Sequence, residues 1–147
     1  MKANFFFSTV LAVLLVTANG EKVLAQNQKL QTAIVYQLTR LIDWCPNGKQ
    51  GNFTIGLLGD DEVLLNELNS LQGRKVIDQQ IVIKNISSVQ ESGTVNILFV
   101  ARTRTNDLPS IMSAIGSGCT LVVADKPGAA GEGAAISLVE NNGRIQF

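Results

Sequence analysis

The sequence predicts an α/β sandwich with a largely parallel central sheet, flanking helices and a C-terminal β-hairpin. Three segments carry apolar residues at helical spacing, and nearly continuous apolar runs, typical of strands covered on both faces, lie between them. Near the end of the chain, Asn142-Gly143 separates two short segments of alternating apolar residues, and both turn residues tolerate positive φ. Helices that alternate with buried strands are typical of an α/β protein, and the Asn-Gly turn adds the hairpin.

The N-terminal segment has the features of an export signal. Lys2 precedes an uncharged apolar run over residues 5–18, and Val23-Leu24-Ala25 supplies small residues at a cleavage position. The run is shorter than the roughly 18 to 20 apolar residues that a membrane span needs. We therefore predict a signal peptide over residues 1–25, with cleavage after Ala18 as an alternative, and a single domain over residues 26–147.

The domain begins with a predicted amphipathic helix from Lys29 to Trp44, and Pro46-Asn47-Gly48 ends it. Its apolar face is predicted from residues at helical spacing, namely Leu30, Ile34, Leu38, Leu41, Ile42 and Cys45.

A strand and a second helix follow. The apolar run from Phe53 to Leu58 is a predicted strand. Asp60 is the predicted cap of the second helix, because a carboxylate there can accept hydrogen bonds from free backbone N–H groups. The helix ends at Gly73, and its predicted apolar face consists of Leu64, Leu68 and Leu71.

The second half continues the alternation. Residues 76–86 and 95–100 are predicted strands, but the connection over residues 85–94 is short for a helical crossover, so the direction of the first of these strands stays open. A third helix with Pro109 in its first turn is predicted from Leu108, Ile111, Met112 and Ile115. A buried strand over residues 120–124 and a glycine-rich loop over residues 127–133 lead to the hairpin.

Composition excludes several classes of function. Twelve Lys and Arg balance twelve Asp and Glu, which argues against the clustered positive charge that binds nucleic acid. The chain has no histidine, so Ser-His-Asp and Cys-His nucleophile arrangements and His-containing zinc sites are excluded. We predict no catalytic residue, no metal site and no cofactor, and we do not expect an enzyme.

A candidate ligand site lies where the predicted parallel strands end. Ligands bind outside the carboxyl ends of strands in open parallel sheets. The charged residues in these positions are Asp60, Arg102, Arg104 and Asp125. The two arginines can bind the phosphate or carboxylate of a small anion or metabolite, and the two aspartates are a candidate pair of carboxylates. Structural roles are the alternative: solvated arginines, a helix cap and a turn carboxylate.

A candidate partner surface lies on the first helix. Tyr36, Arg40 and Trp44 recur at every fourth position, and Trp and Tyr are enriched in the centres of protein interfaces. Packing at the edge of the core is the alternative for the two aromatic residues, and both interpretations stay open.

Cys45 and Cys119 are the only cysteines. In an exported chain they can form a disulfide, whereas two separate buried thiols are the alternative. Each lies before a predicted strand, so both belong to the amino-end edge of a parallel sheet, away from the candidate ligand site.

The ordered set of segments resembles the YfiR (HmsC-like) family of periplasmic proteins. The resemblance covers about Lys29 to Phe147 and is carried by TAIVYQLTRLIDW at 32–44, FTIGLLGDD at 53–61, GRKV at 73–76, NILFV at 96–100, TLVVAD at 120–125 and the segment 131–147. Relatives continue past the position of Phe147, so we expect that this sequence stops short of the domain's C-terminal end.

The resemblance implies a soluble periplasmic regulator and not an enzyme. Such a protein binds the periplasmic sensor domain of an inner-membrane signalling protein, typically a diguanylate cyclase, and holds it inactive, whereas its release raises cyclic-di-GMP and promotes biofilm formation. A histidine kinase is an equally open partner, and a homodimer is also compatible with the sequence. The alternative function is a periplasmic module that binds a small anion or metabolite.

Overall fold

The computed structural model describes residues 26–141 and 144–146. The predicted signal peptide and the predicted turn Asn142-Gly143 lie outside these residues. Among the described residues, no helix has the length and apolar character that crossing a membrane requires.

A six-stranded sheet forms the centre of the fold. Its strands are β1 (Phe53–Leu58), β2 (Lys75–Val76), β3 (Gln79–Ile86), β4 (Ile97–Val100), β5 (Leu121–Ala124) and β6 (Ile136–Ser137), in the spatial order β2-β3-β1-β4-β5-β6. The pairs β3–β1, β1–β4, β4–β5 and β5–β6 are parallel, and β2 is antiparallel to β3. A separate antiparallel pair follows, formed by β7 (Val139–Asn141) and β8 (Arg144–Gln146). The predicted sheet and hairpin are confirmed.

Within the described residues, three α-helices cover the sheet: α1 (26–41), α2 (Glu62–Asn69) and α3 (Leu108–Ile115). Side chains alternate between the two faces of a strand. Phe53, Ile55 and Leu57 of β1 therefore pack with α1 and α2 on one face, whereas Leu58 packs with α3 on the other. The molecule is a sandwich with its sheet in the middle layer and a hydrophobic cluster on each side.

The direction of β3, which the sequence left open, is parallel to β1. The connection to β4 contains only a 3₁₀ turn, Val89–Thr94, and it passes over β1 on the α3 side. Gly56 of β1 permits this close approach, because a Cβ atom there would lie 2.7 Å from Cγ1 of Ile86. A short 3₁₀ connection between the parallel strands β3 and β4 therefore takes the place of the usual crossover helix.

The buried face of α1 differs from the predicted one. Leu30 and Leu41 are 48% and 76% exposed, whereas Gln31, Val35 and Thr39 are buried. Since successive residues turn by about 100° around a helix, the observed face lies roughly a quarter-turn from the predicted one. Three residues of the predicted face, Ile34, Leu38 and Ile42, are half-buried and pack against the core. Together with Val35, polar side chains occupy the most buried positions of the helix, and two leucines are exposed.

The cap of α2 is Asp61 and not the predicted Asp60. The Leu64 N–H donates to Oδ1 of Asp61 at 2.9 Å, and the side-chain amide of Gln28 donates to its other oxygen at 3.3 Å. The N–H of Asp60 donates instead to the Thr103 hydroxyl at 3.2 Å. Asp61 therefore caps α2 and joins it to α1.

Cys45 and Cys119 form a disulfide, with 6.0 Å between their Cα atoms. The sequence left open a disulfide and two separate buried thiols, and the structure has the disulfide. The bridge joins the segment after α1 to the start of β5 at the amino-end edge of the sheet, as the order of elements predicted.

Candidate functional site

The carboxyl-edge groove is a cavity of about 610 Å³ at the ends of β4 and β5, bordered by the β7–β8 hairpin. Its charged lining residues are Arg102, Asp125, Lys126 and Glu140. This groove lies where the parallel topology predicts a ligand site, outside the carboxyl ends of the strands.

Charges in the carboxyl-edge groove neutralise one another. Nη2 of Arg102 donates to Oδ1 of Asp125 at 3.0 Å, and the Lys126 ammonium donates to the Glu132 carboxylate. The hydrogen bond and the negative charge of Asp125, together with the charge of Glu140, raise the pKa of Arg102. A guanidinium that is already paired with one carboxylate and feels the negative charge of a second offers an incoming anion little net attraction.

The four predicted ligand residues do not form one site. Arg102 and Asp125 come together and line the groove. Arg104 lies on the 3₁₀ turn Arg102–Asp107, and its Nε donates to Asp107 at 2.6 Å instead. Asp60 and Arg104 are not among the groove's lining residues.

A second concave surface, the α1–α2 groove, lies between α1 and the end of α2. It has a volume of about 280 Å³, and its lining includes Lys29, Ala33, Tyr36, Glu67 and Arg74. The Arg74 guanidinium lies 5.5 Å from the centroid of the Tyr36 ring, a distance typical of a cation–π contact. The predicted partner residue Tyr36 is thus part of a groove wall.

Arg74 is a residue of the α1–α2 groove that no sequence pattern indicated as part of a site. It lies in the turn between α2 and β2, and only the folded chain brings it over a helix residue far away in sequence. The GRKV segment marked a family resemblance but carried no signal for this contact.

The other two predicted partner residues have different environments. Arg40 is exposed, on the same side of α1 as Lys29 and Tyr36. Trp44 is only 7% exposed, and its Nε1–H donates to the carbonyl of Thr39 at 3.0 Å. Its ring packs edge-to-face on Phe53 with 4.9 Å between centroids. Of the two interpretations left open for Trp44, its position supports packing.

A family model described as YfiR/HmsC-like matches residues 28–147. The chain belongs to the YfiR/HmsC-like family. Searches of curated proteins and of solved structures found no match. Proteins of this family are periplasmic regulators rather than enzymes, and membership suggests a regulator of diguanylate cyclase signalling. The disulfide agrees with a periplasmic location, because that compartment is oxidising.

Proposed function

We propose that the protein binds the periplasmic sensor domain of an inner-membrane signalling protein, typically a diguanylate cyclase, and represses it. The observation that carries the proposal is the family match over residues 28–147. In this proposal residues 1–25 direct export and are removed, and residues 26–147 form the regulatory domain. Release of the sensor domain would raise cyclic-di-GMP and favour biofilm formation.

The outward side of α1 is the surface that best suits a protein partner. Leu30 and Leu41 expose apolar area there, and Lys29 and Arg40 expose positive charge beside them. Apolar side chains next to charged ones are typical of the core and the rim of an interface. A protein that represses by occupying a surface needs such a patch and no catalytic group.

The alternative, a module for a small anion, has less support. Its main residue, Arg102, is paired with Asp125 and also feels the charge of Glu140. We therefore favour protein binding over metabolite binding.

Affinity capture from detergent-solubilised membranes tests the proposal. The tagged protein, purified from the periplasm, is incubated with membranes of its own source, and captured proteins are identified by mass spectrometry. We expect a membrane protein with a periplasmic domain and a cytoplasmic cyclase or kinase domain. The Arg102→Ala variant is the matched control. If the partner binds through α1, this substitution in the carboxyl-edge groove leaves the amount of captured partner unchanged. Capture of no membrane protein by the unmodified chain would contradict the proposal. If the unmodified chain captures the partner and Arg102→Ala does not, the interface lies at the carboxyl-edge groove and not on α1.

A further inference from the structure

Positive charge is distributed unevenly over the described part of the chain. Four of its Lys and Arg side chains form salt bridges, namely Lys49, Arg102, Arg104 and Lys126. The other six form no ion pair with described residues; they are Lys29, Arg40, Arg74, Lys75, Lys84 and Arg144. Two of the six, Lys29 and Arg74, line the α1–α2 groove. The charges of the larger carboxyl-edge groove pair with one another, whereas Lys29 and Arg74 in the smaller groove form no salt bridge within the described part of the chain.

Arg74 is held in place by its surroundings. Its N–H donates to the Leu71 carbonyl at 3.0 Å, and its own carbonyl accepts from the Ile81 N–H at 2.7 Å. Its guanidinium lies over the Tyr36 ring, which itself packs against the core. The backbone hydrogen bonds fix the main chain at Arg74, and the contact with Tyr36 restricts its guanidinium, so the cation loses less conformational freedom when it meets a carboxylate.

The α1–α2 groove combines this charge with apolar surface. Ala33, Tyr36 and Leu71 contribute apolar atoms, and Glu67 is the one acidic residue in the lining. Arg40 extends the positive side along α1, since it lies about one turn beyond Tyr36. A groove of about 280 Å³ has room for a few side chains and not for a large rigid ligand.

We propose that the α1–α2 groove receives an acidic segment of the protein partner. Carboxylates of this segment contact Lys29 and Arg74, and an apolar side chain between them packs against Tyr36 and Leu71. The cations lie in a groove and not on a flat face. A groove can receive a protein segment, whereas an anionic membrane surface would need a flat or convex basic face. This inference rests on the proposed function, because it names the chemistry of the partner at the same α1 surface.

A defined peptide probe tests the groove without knowledge of the partner. Three fluorescent peptides alternate Leu with Glu, Leu with Gln or Leu with Lys, and anisotropy reports their binding to the protein purified from the periplasm. We expect the Glu peptide to bind most tightly and its affinity to fall as salt increases, because salt screens attraction between exposed charges and the screening length shortens from about 10 Å at 0.1 M to about 3 Å at 1 M. Equal binding of all three peptides would overturn the inference.

Charge-reversal variants locate the contact. Lys29→Glu with Arg74→Glu is expected to weaken binding of the Glu peptide by about tenfold, as expected for two charge contacts that become repulsive. Lys84→Glu with Arg144→Glu is the matched control, because it makes the same change of charge at two cations that form no ion pair with described residues and lie outside the groove lining. Unfolding midpoints verify that both variants fold. Equal weakening by the two variants would show general charge attraction and overturn the assignment.

The same variants separate this inference from the proposed function. If a membrane signalling protein is captured equally well with Lys29→Glu and Arg74→Glu, the proposed function stands and the acidic-segment inference fails. If no membrane protein is captured but the Glu peptide binds in the groove and is lost with this variant, the inference about ligand chemistry stands and the proposed function fails.

Discussion

Asn96 illustrates how one buried amide joins three segments at the amino-end edge. Its Oδ1 accepts from the Thr54 N–H at 2.8 Å, and its Nδ2 donates to the Gly48 carbonyl at 2.8 Å. Because the residue is 8% exposed, water does not readily replace these bonds. Asn96 therefore links β1 and the start of β4 to the 3₁₀ turn Pro46–Lys49 near the disulfide.

We predict that Asn96→Ala lowers the free energy of unfolding by about 1 to 3 kcal/mol, because it leaves the buried Thr54 N–H without its acceptor. The Gly48 carbonyl also loses one donor and keeps only the Gln79 side-chain amide at 3.2 Å. Urea unfolding measures the change. Asn85→Ala on β3 is the matched control; its side chain is exposed, so a change below about 0.5 kcal/mol is expected. Similar losses for the two variants would contradict the role assigned to Asn96.

The buried Trp44 ring is expected to contribute to stability and not to partner binding. Trp44→Ala is expected to lower the free energy of unfolding by about 3 to 5 kcal/mol, because it removes a large buried ring. Trp44→Phe retains an aromatic ring and loses the hydrogen bond to Thr39, a change of about 1 kcal/mol. We expect Trp44→Phe to capture the same partner as the wild type. A stably folded Trp44→Phe variant that loses the partner would show that Trp44 contacts it directly.

The sequence alone does not determine which of two neighbouring carboxylates caps α2. Asp60 and Asp61 are both suitable caps for α2, and the choice depends on where the chain leaves β1. Gly59 turns there with φ +111°, and the N–H of Asp60 donates to Thr103. The long-range contact with Thr103, which no local pattern reveals, places Asp61 in the capping position.

Strands are the elements that the sequence predicts best, because their continuous apolar runs correspond to burial on both faces. All six residues of β1 and all four of β4 are buried. The orientation of α1 was predicted less well. Its periodicity favoured a face that includes Leu30 and Leu41, whereas Thr32 and Thr39 are buried with Val35 instead. Hydrophobic spacing cannot detect a face that depends on small polar side chains.

The disulfide between Cys45 and Cys119 stabilises the fold by joining the segment after α1 to the start of β5. It closes a loop with a sequence separation of 74, for which the chain-entropy relation gives about 4.5 kcal/mol. We expect the Cys45→Ser, Cys119→Ser double variant to lose stability of this order in urea unfolding. Reducing agent should destabilise the wild type and leave the double variant unchanged. A wild-type unfolding curve that is insensitive to reduction would contradict this contribution.

Topology at the scale of the whole molecule predicted part of the candidate site. The rule that ligands bind at the carboxyl ends of parallel strands located the larger groove and brought Arg102 and Asp125 together. It did not predict that these two residues pair, nor that the smaller α1–α2 groove holds cations that form no ion pair with any described residue. Both features depend on side-chain contacts between segments far apart in the chain, Tyr36 with Arg74 among them.

Repression of a membrane-bound cyclase from the periplasmic side, as proposed above, controls the cyclic-di-GMP content of the cell. This content can be measured in source cells that lack the gene and in the same cells complemented with the full chain. We expect cyclic-di-GMP to rise when the gene is deleted, to return to the original level with the full chain, and to stay high when residues 1–25 are removed from the complementing gene. Unchanged cyclic-di-GMP in the deletion strain would contradict repression of a cyclase by this protein.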